Sequence, residues 1–240
     1  MSSKIEKRSA LEKLEICVNT LNHTFIGIAT FYTIWYCINY GFDKSHTLHV
    51  LLASLGYVLL MAEGIMSMYN GNTFTLFMTR SQKTNIHWIL QATGGSLRLA
   101  AFFLEVVQRA NAGKKVFHIW HARMGLVSAI FLCLSIFSGC SALFSNRFKN
   151  YLRPLFSKFF HNLFSICSFV FGFVAMIIAY NTRSWAKNYD PGNIRYVMIG
   201  ILSSILLFTL IGPLKTFCRH VKITLSTTSE QKEEKNDEKI

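Results

Sequence analysis

The chain has 240 residues, 51% of them hydrophobic and only 15% charged, against a usual ~25% charged. Twenty-five Lys and Arg against twelve Asp and Glu leave a net charge of +13 with histidine neutral. That apolar content excludes disorder over most of the length, and six scattered Cys in so long a chain exclude a disulfide-stapled scaffold. What remains is a basic soluble domain, with nucleic acid as its expected partner, or a membrane protein.

The distribution of charge decides between them. Residues 1–15 carry Lys4, Glu6, Lys7, Arg8, Glu12, Lys13 and Glu15, too many charges for a cleaved secretory signal. They read as a cytosolic tail, with the first span acting as signal anchor. Ile16 to Phe42 then has no charged residue. A bilayer span needs ~20 mostly apolar residues, and the gap predicts a first helix over 17–39. Ser45 to Thr79 carries only Glu63 and predicts a helix over 47–69. Thr84 to Gln108 carries only Arg98 and Glu105, and predicts 86–108. Val116 to Asn146 carries only Arg123 and predicts 119–143. Phe159 to Thr182 and Tyr196 to Leu214 carry no charge and predict 159–181 and 196–218. The apolar runs are continuous rather than alternating, which excludes a β-barrel. The last residues, 221–240, end in a run of Lys and acids with no apolar pattern and read as a disordered, solvated tail. The expected fold is all-α: a six-helix transmembrane domain over 16–220 between two cytosolic tails.

Orientation follows from the basic residues near the membrane. The N-terminal tail, the two loops on its side (Arg80, Lys83, Arg147, Lys149, Arg153, Lys158) and the C-terminal end (Lys215, Arg219, Lys222) are the richer side. The opposite side has Lys44, Arg109, Lys114, Lys115, Arg183, Lys187 and Arg195. Both termini are therefore expected in the cytosol. The positive charge is a topology signal, and no nucleic-acid partner is expected.

Four histidines stand near the starts of predicted spans: His49, His87, His121 and His161. Consecutive helices alternate in direction, so His49 can meet His121 on the non-cytosolic side, and His87 can meet His161 on the cytosolic side. At ~100° per residue each histidine shares a face with small residues. These faces hold Ala53 and Gly56; Gln91 and Gly94; Gly125, Ser128, Ser135 and Gly139; and Ser165, Ser168, Gly172 and Ala175. A flat ligand between helices needs an axial nitrogen and a surface free of side chains, and a haem held by two imidazoles fits. The residues leave other readings open. Small stripes also let helix backbones approach, and an intramembrane His can relay protons. Zinc is disfavoured, since no Cys or carboxylate lies within one turn of these histidines. His23 heads a similar stripe with Gly27 and Thr30 and stays a candidate ligand on pattern alone.

Glu63 follows His49 by 14 residues, ~21 Å at 1.5 Å per residue, which puts it near the cytosolic pair. Arg98 follows His87 by 11, ~16 Å, close to the outer pair and on the His87 face, where it is expected to offset haem charge. Arg123 lies ~200° from His121 on the wheel and is expected to snorkel outward. The cysteines in the spans read as small apolar residues.

At these residues the chain resembles the cytochrome b561 family of six-helix, two-haem transmembrane reductases. The likeness covers roughly 15–220. It rests on His49 with Leu60-Met61-Ala62-Glu63, on His87-Trp88-Ile89-Leu90-Gln91, on His121 with Gly125, and on His161 with basic residues before it. It implies that helices 2–5 form the core around two haem b groups. It implies His49 and His121 as ligands of the outer haem iron and His87 and His161 as ligands of the cytosolic one, and it makes His23 structural. It also implies electron transfer from cytosolic ascorbate to monodehydroascorbate or a ferric chelate on the far side. Arg80 and Lys83 would attract the ascorbate anion, with Arg153 and Lys158 as weaker candidates; the alternative is that they are topology charges only. His46 and His118 could hold a ferric chelate. Ile119-Trp120-His121-Ala122-Arg123 departs from the outer motif of the chromaffin-granule branch, and the chain is more similar to the short, tumour-suppressor-type branch. The resemblance places the protein in an endomembrane or the plasma membrane and makes a homodimer plausible. Two other classes stay open: a haem-free membrane scaffold, and a proton or metal carrier.

Overall fold

A computed structural model describes residues 9–144, 154–182 and 193–237. Of the charges used for orientation, Lys4, Lys7, Arg8, Arg147, Lys149, Arg153, Arg183 and Lys187 lie outside the described residues. Among the described residues there are six long helices and no strand: α1 Ala10–Tyr40, α2 Ser45–Ser67, α3 Arg80–Asn111, α4 Trp120–Leu143, α5 Pro154–Tyr180 and α6 Ile194–Asp237.

Local chemistry sets several ends. Ser9 and Glu12 form a reciprocal capping box at the start of α1, and Thr79 and Gln82 form another at the start of α3. Gly41, at φ 81°, lets the chain leave α1. Pro154 occupies the first position of α5, where its missing N–H costs no helical bond. The backbone of α6 runs to Asp237, well past 218 and into the stretch expected to be disordered. Glu, Lys and Gln are good helix formers, so a polar composition excludes a packed core there but not a helix.

Among the described residues four helices are long and apolar enough to cross a membrane: Ser45–Ser67, Trp120–Leu143, Leu155–Tyr180 and Ile194–Ile223. The expectation was six, and α1 and α3 fall short by composition. Their polar residues face inward. In α1, Asn19, Asn22, Thr30 and Thr33 are buried while Leu21, Phe31 and Ile38 are exposed; in α3, Lys83 and Arg98 are buried while Trp88, Ile89, Phe103 and Val107 are exposed. Their average hydropathy is low because their interior face is the polar one.

The core consists of two antiparallel pairs, α2 with α3 and α4 with α5. The pairs touch each other only sparsely, and α1 and α6 pack on one flank. The pairs are related by a repeat of 72–74 residues: His49 with His121, His87 with His161, Gly56 with Ser128, Gly94 with Ser168, and Ala101 with Ala175. Within the first pair, Gly56 lies against Gly94: a Cβ on Gly56 would sit 2.8 Å from the Gly94 carbonyl oxygen. In the second, Ser128 and Ser168 each donate to the other's carbonyl, at 2.6 and 3.0 Å. The stripes at these positions serve helix packing.

The repeat slips by one residue within α2, where Leu55–Met61 is a π-helical stretch. Gly64 matches Ser135, an offset of 71. A π-bulge absorbs one extra residue without breaking the helix, and this one turns Tyr57 and Met61 toward α3.

One end of the bundle is tied across the chain. Glu15 accepts from the Lys215 ammonium and the Tyr69 hydroxyl, joining α1, α6 and the segment after α2. These two donors, the lysine first, hold the Glu15 carboxyl below the usual carboxylate range.

Two predictions follow from this packing. Gly56→Ala should lower the thermal midpoint of detergent-purified protein, at a cost of ~1–3 kcal/mol, because a backbone oxygen cannot move aside. Gly27→Ala, with nothing within 4 Å of the added Cβ, should leave the midpoint unchanged. A depressed folded-state carboxyl stabilises above its unfolded value and loses that contribution as pH falls through its folded value. Glu15→Gln should therefore lower stability at neutral pH, with the gap to wild type closing in acid.

Candidate functional site

Two histidine pairs bridge the two helix pairs, as expected from helix direction. The His49 and His121 ring centroids are 6.1 Å apart with planes at 86°, and those of His87 and His161 are 6.2 Å apart at 90°. An imidazole nitrogen sits about 2.0 Å from a transition metal, and the ring centre lies about 1.1 Å behind it, so two rings on one metal atom have centres about 6.2 Å apart. Both pairs have the spacing of axial ligands on opposite sides of one metal.

Each ring is fixed in the same way. Nδ1 of His49 donates to the Ala101 carbonyl at 2.9 Å, and Nδ1 of His87 to the Gly64 carbonyl at 2.7 Å. Nδ1 of His121 donates to the Ala175 carbonyl at 2.8 Å, and Nδ1 of His161 to the Ser135 carbonyl at 3.0 Å. A backbone carbonyl can only accept, so the proton sits on Nδ1 and Nε2 keeps its lone pair for a metal. Each carbonyl belongs to the other helix of the same antiparallel pair. It lies 14 residues beyond that helix's own histidine, or 15 in α2, where the π stretch takes up the extra residue. Fourteen residues are ~21 Å, which sets the spacing of the two sites along the bundle.

Beside the outer pair is a cavity lined by His49, Ala53, Tyr57, Arg98, His121, Gly125, Gly172 and Ala175 among others. A Cβ on Gly125 would meet nothing within 4 Å. Here the small stripes open space rather than close helix contacts. At the inner pair, Gly139 seats the His161 ring, whose Cε1 would lie 2.9 Å from an added Cβ. Gln91 donates to the Met61 carbonyl at 3.0 Å.

The cavity's inner wall holds a polar cluster. Arg98 is 4% exposed. Its guanidinium donates to the Tyr57 hydroxyl, the Met61 sulfur, Ser128 Oγ at 2.8 Å and Ser168 Oγ at 3.0 Å, and lies 3.6 Å from the Tyr57 ring centre. The sequence placed Arg98 near the outer pair but missed Tyr57. The available signal was Gly172, where a Cβ would sit 1.9 Å from Tyr57 Cε1: that glycine is the hollow for a ring.

The other candidates separate clearly. Both ring nitrogens of His23 are taken by side-chain oxygens, Glu63 at 2.7 Å and Asn72 at 3.2 Å, so it has no lone pair directed at a metal. Glu63 lies at the depth of the inner pair, next to the carbonyl that holds His87. Lys83 is 8% exposed and one helical turn before His87, whereas Arg80 and Lys158 are exposed. His46 is exposed and stacks 6.3 Å from His49; His118 is exposed and donates to the Lys115 carbonyl. Arg123 is exposed beside Trp120, as the wheel indicated. Arg153 lies outside the described residues. All six thiols are free. Among the described residues no three His, Cys, Asp or Glu converge, so no metal is caged by protein ligands alone.

Half-buried imidazoles are thus paired at two depths in a helix bundle. Residues 48–187 match the family model for eukaryotic cytochrome b561. The chain belongs to that family of b-type cytochromes, and it is a multi-pass membrane protein. It is 21% identical over 152 residues to the transmembrane reductase CYB561D2 of Bos taurus, across 63% of this chain and 67% of that protein. No solved structure matches the chain significantly.

Proposed function

We propose that the chain carries single electrons across a membrane, from cytosolic ascorbate to monodehydroascorbate or a ferric chelate on the far side. In this reading His49 and His121 hold one haem b, and His87 and His161 hold a second. All six helices span, both termini face the cytosol, and the membrane is an endomembrane or the plasma membrane. The observation that carries it is the doubled geometry: two ring pairs at metal-sharing distance, each ring with its proton fixed on the nitrogen away from the metal.

Held there by the paired histidines, haem b would supply one-electron exchange. The protein does the rest. The four carbonyls hold the rings in place whichever charge the site carries. The Nδ1–H bonds also make the imidazoles more basic. The sparse interface between the helix pairs leaves room for flat groups, and Ala53, Gly125 and Ala175 keep side chains out of it. Lys83, on the same face as His87, supplies a cation at the cytosolic entrance. A lysine set only by topology would extend into the headgroups, whereas this one is buried. The relative named a transmembrane reductase supports the same direction of chemistry.

A dithionite-reduced minus oxidised spectrum of purified protein should show b-type bands, with ascorbate alone reducing a large fraction. His87→Ala should remove the inner haem and ascorbate reduction together, and His23→Gln should keep both haems. Folded protein with a featureless spectrum is the result expected of a haem-free scaffold and would end the reductase reading. Lys83→Gln should raise the ascorbate concentration for half-maximal reduction several-fold without changing the dithionite spectrum. Arg80→Gln should do so less.

A further inference from the structure

We propose that Arg98 sets the redox poise of the outer site, as a fixed cation that raises the reduction potential of a haem held by His49 and His121. The inference rests on the two-haem reading above. A guanidinium keeps its charge in proteins, and charges inside membrane helices normally have charged partners. This one has none. Its acceptors are a phenol, a thioether and two hydroxyls, all neutral. Its Nε is buried without a partner. No carboxylate pairs with it among the described residues. Glu63, on α2, is taken by His23, and Glu105, two turns further along α3, by Arg109.

A role in stability alone is a poor account of this arrangement. Burying a charge is costly, and an apolar side chain of like volume fills such a space at least as well. The neighbours hold the charge in place without cancelling it. Ser128 and Ser168 are tied to each other's backbone, the Tyr57 ring lies under the guanidinium, and the π stretch presents Tyr57 and Met61.

Position assigns the charge to one site. Arg98 lines the cavity beside His49 and His121. It is three residues from Ala101, whose carbonyl fixes His49, and 11 residues from His87, roughly 4.5 and 16 Å along the helix. An unscreened positive charge favours whichever state holds one more electron. The step concerned moves one electron and no proton: the inner site is oxidised as the outer is reduced, with ascorbate as the original donor. A cation nearer the outer site makes that transfer more favourable than it would be without the charge. A unit charge at this depth, at an effective dielectric of about 20, changes the reduced-to-oxidised ratio by the order of tenfold.

The test is a spectroelectrochemical titration of the full chain in nanodiscs, with haem content measured separately. The outer component is identified as the one missing in His121→Ala. Arg98→Gln should lower the outer midpoint, cutting its reduced-to-oxidised ratio at a fixed potential about tenfold, and move the inner one less. Arg98→Lys should hold the outer midpoint near wild type. If Arg98→Gln fails to load haem, Met61→Glu neutralises the guanidinium in place and should lower the outer midpoint instead. The proposal is overturned by full haem content with unmoved potentials, by a larger shift at the inner site, or by a Lys variant that falls as far as the Gln variant. A wild type without b-type bands overturns the two-haem reading and this proposal with it; unmoved potentials in a loaded protein overturn this proposal alone.

Discussion

The hydrogen bond from a histidine Nδ1 to a backbone carbonyl of the antiparallel neighbour organises the centre of this molecule. It occurs four times, twice in each helix pair, once near each end. A carbonyl inside a helix accepts from the residue four further on, so at Ala101, Ser135 and Ala175 the histidine bond uses a second lone pair and leaves the helix intact; Gly64 lies near the end of α2, where its carbonyl accepts from the Ser67 hydroxyl as well as from His87. Two such bonds fix the register of a pair. A slip of one residue would turn a ring by ~100° and break both bonds. Register, tautomer and the ~21 Å spacing of the sites therefore depend on one another.

That constraint explains the π stretch in α2. Three of the four helices place the accepting carbonyl 14 residues after their own histidine, and α2 has 15. An unbroken α-helix would put Gly64 about 100° out of position. The wide turn at Leu55–Met61 restores the alignment and brings Tyr57 and Met61 to Arg98. The second pair needs no such turn, and its matching positions are the paired serines Ser128 and Ser168.

The six helices were legible from their uncharged runs, although only four are apolar enough to cross a membrane by composition, and the meeting of the histidine rings and the outward direction of Arg123 were legible because each depends on helix period and direction alone. The depths of Glu63 and Arg98 were legible for the same reason. The functions of the small residues were not. Gly56 and Gly125 look alike in a stripe, yet one closes a helix contact and the other opens onto a cavity. The difference lies in which neighbour each faces, and only packing between elements settles that. The repeat was hidden because it is kept in geometry more than in residue type: glycines stand where the other pair has serines. Tyr57 was hidden because the π stretch rotates it off the 3.6-residue face.

The low hydropathy of α1 and α3 has the same origin as the site. A bundle with a cavity beside His49 and His121 and sparse contact between its halves cannot rely on apolar packing at its centre, because membrane helices gain little from burying apolar faces against one another. Polar contacts supply the specificity instead: the histidine–carbonyl bonds, Ser128 with Ser168, and Asn22 with Thr209 at 2.9 Å. Helix α3 carries the most demanding share, with Lys83, His87, Gln91 and Arg98 along one face. It has the composition of a soluble amphipathic helix turned inside out, with apolar side chains outward and polar ones toward its neighbours. In a membrane that arrangement is stable only if every inward group is satisfied or put to use. The hydroxyls and the thioether take hydrogen bonds from the two terminal nitrogens of Arg98, its Nε is left without a partner, and none of these neighbours carries a charge that cancels the guanidinium's.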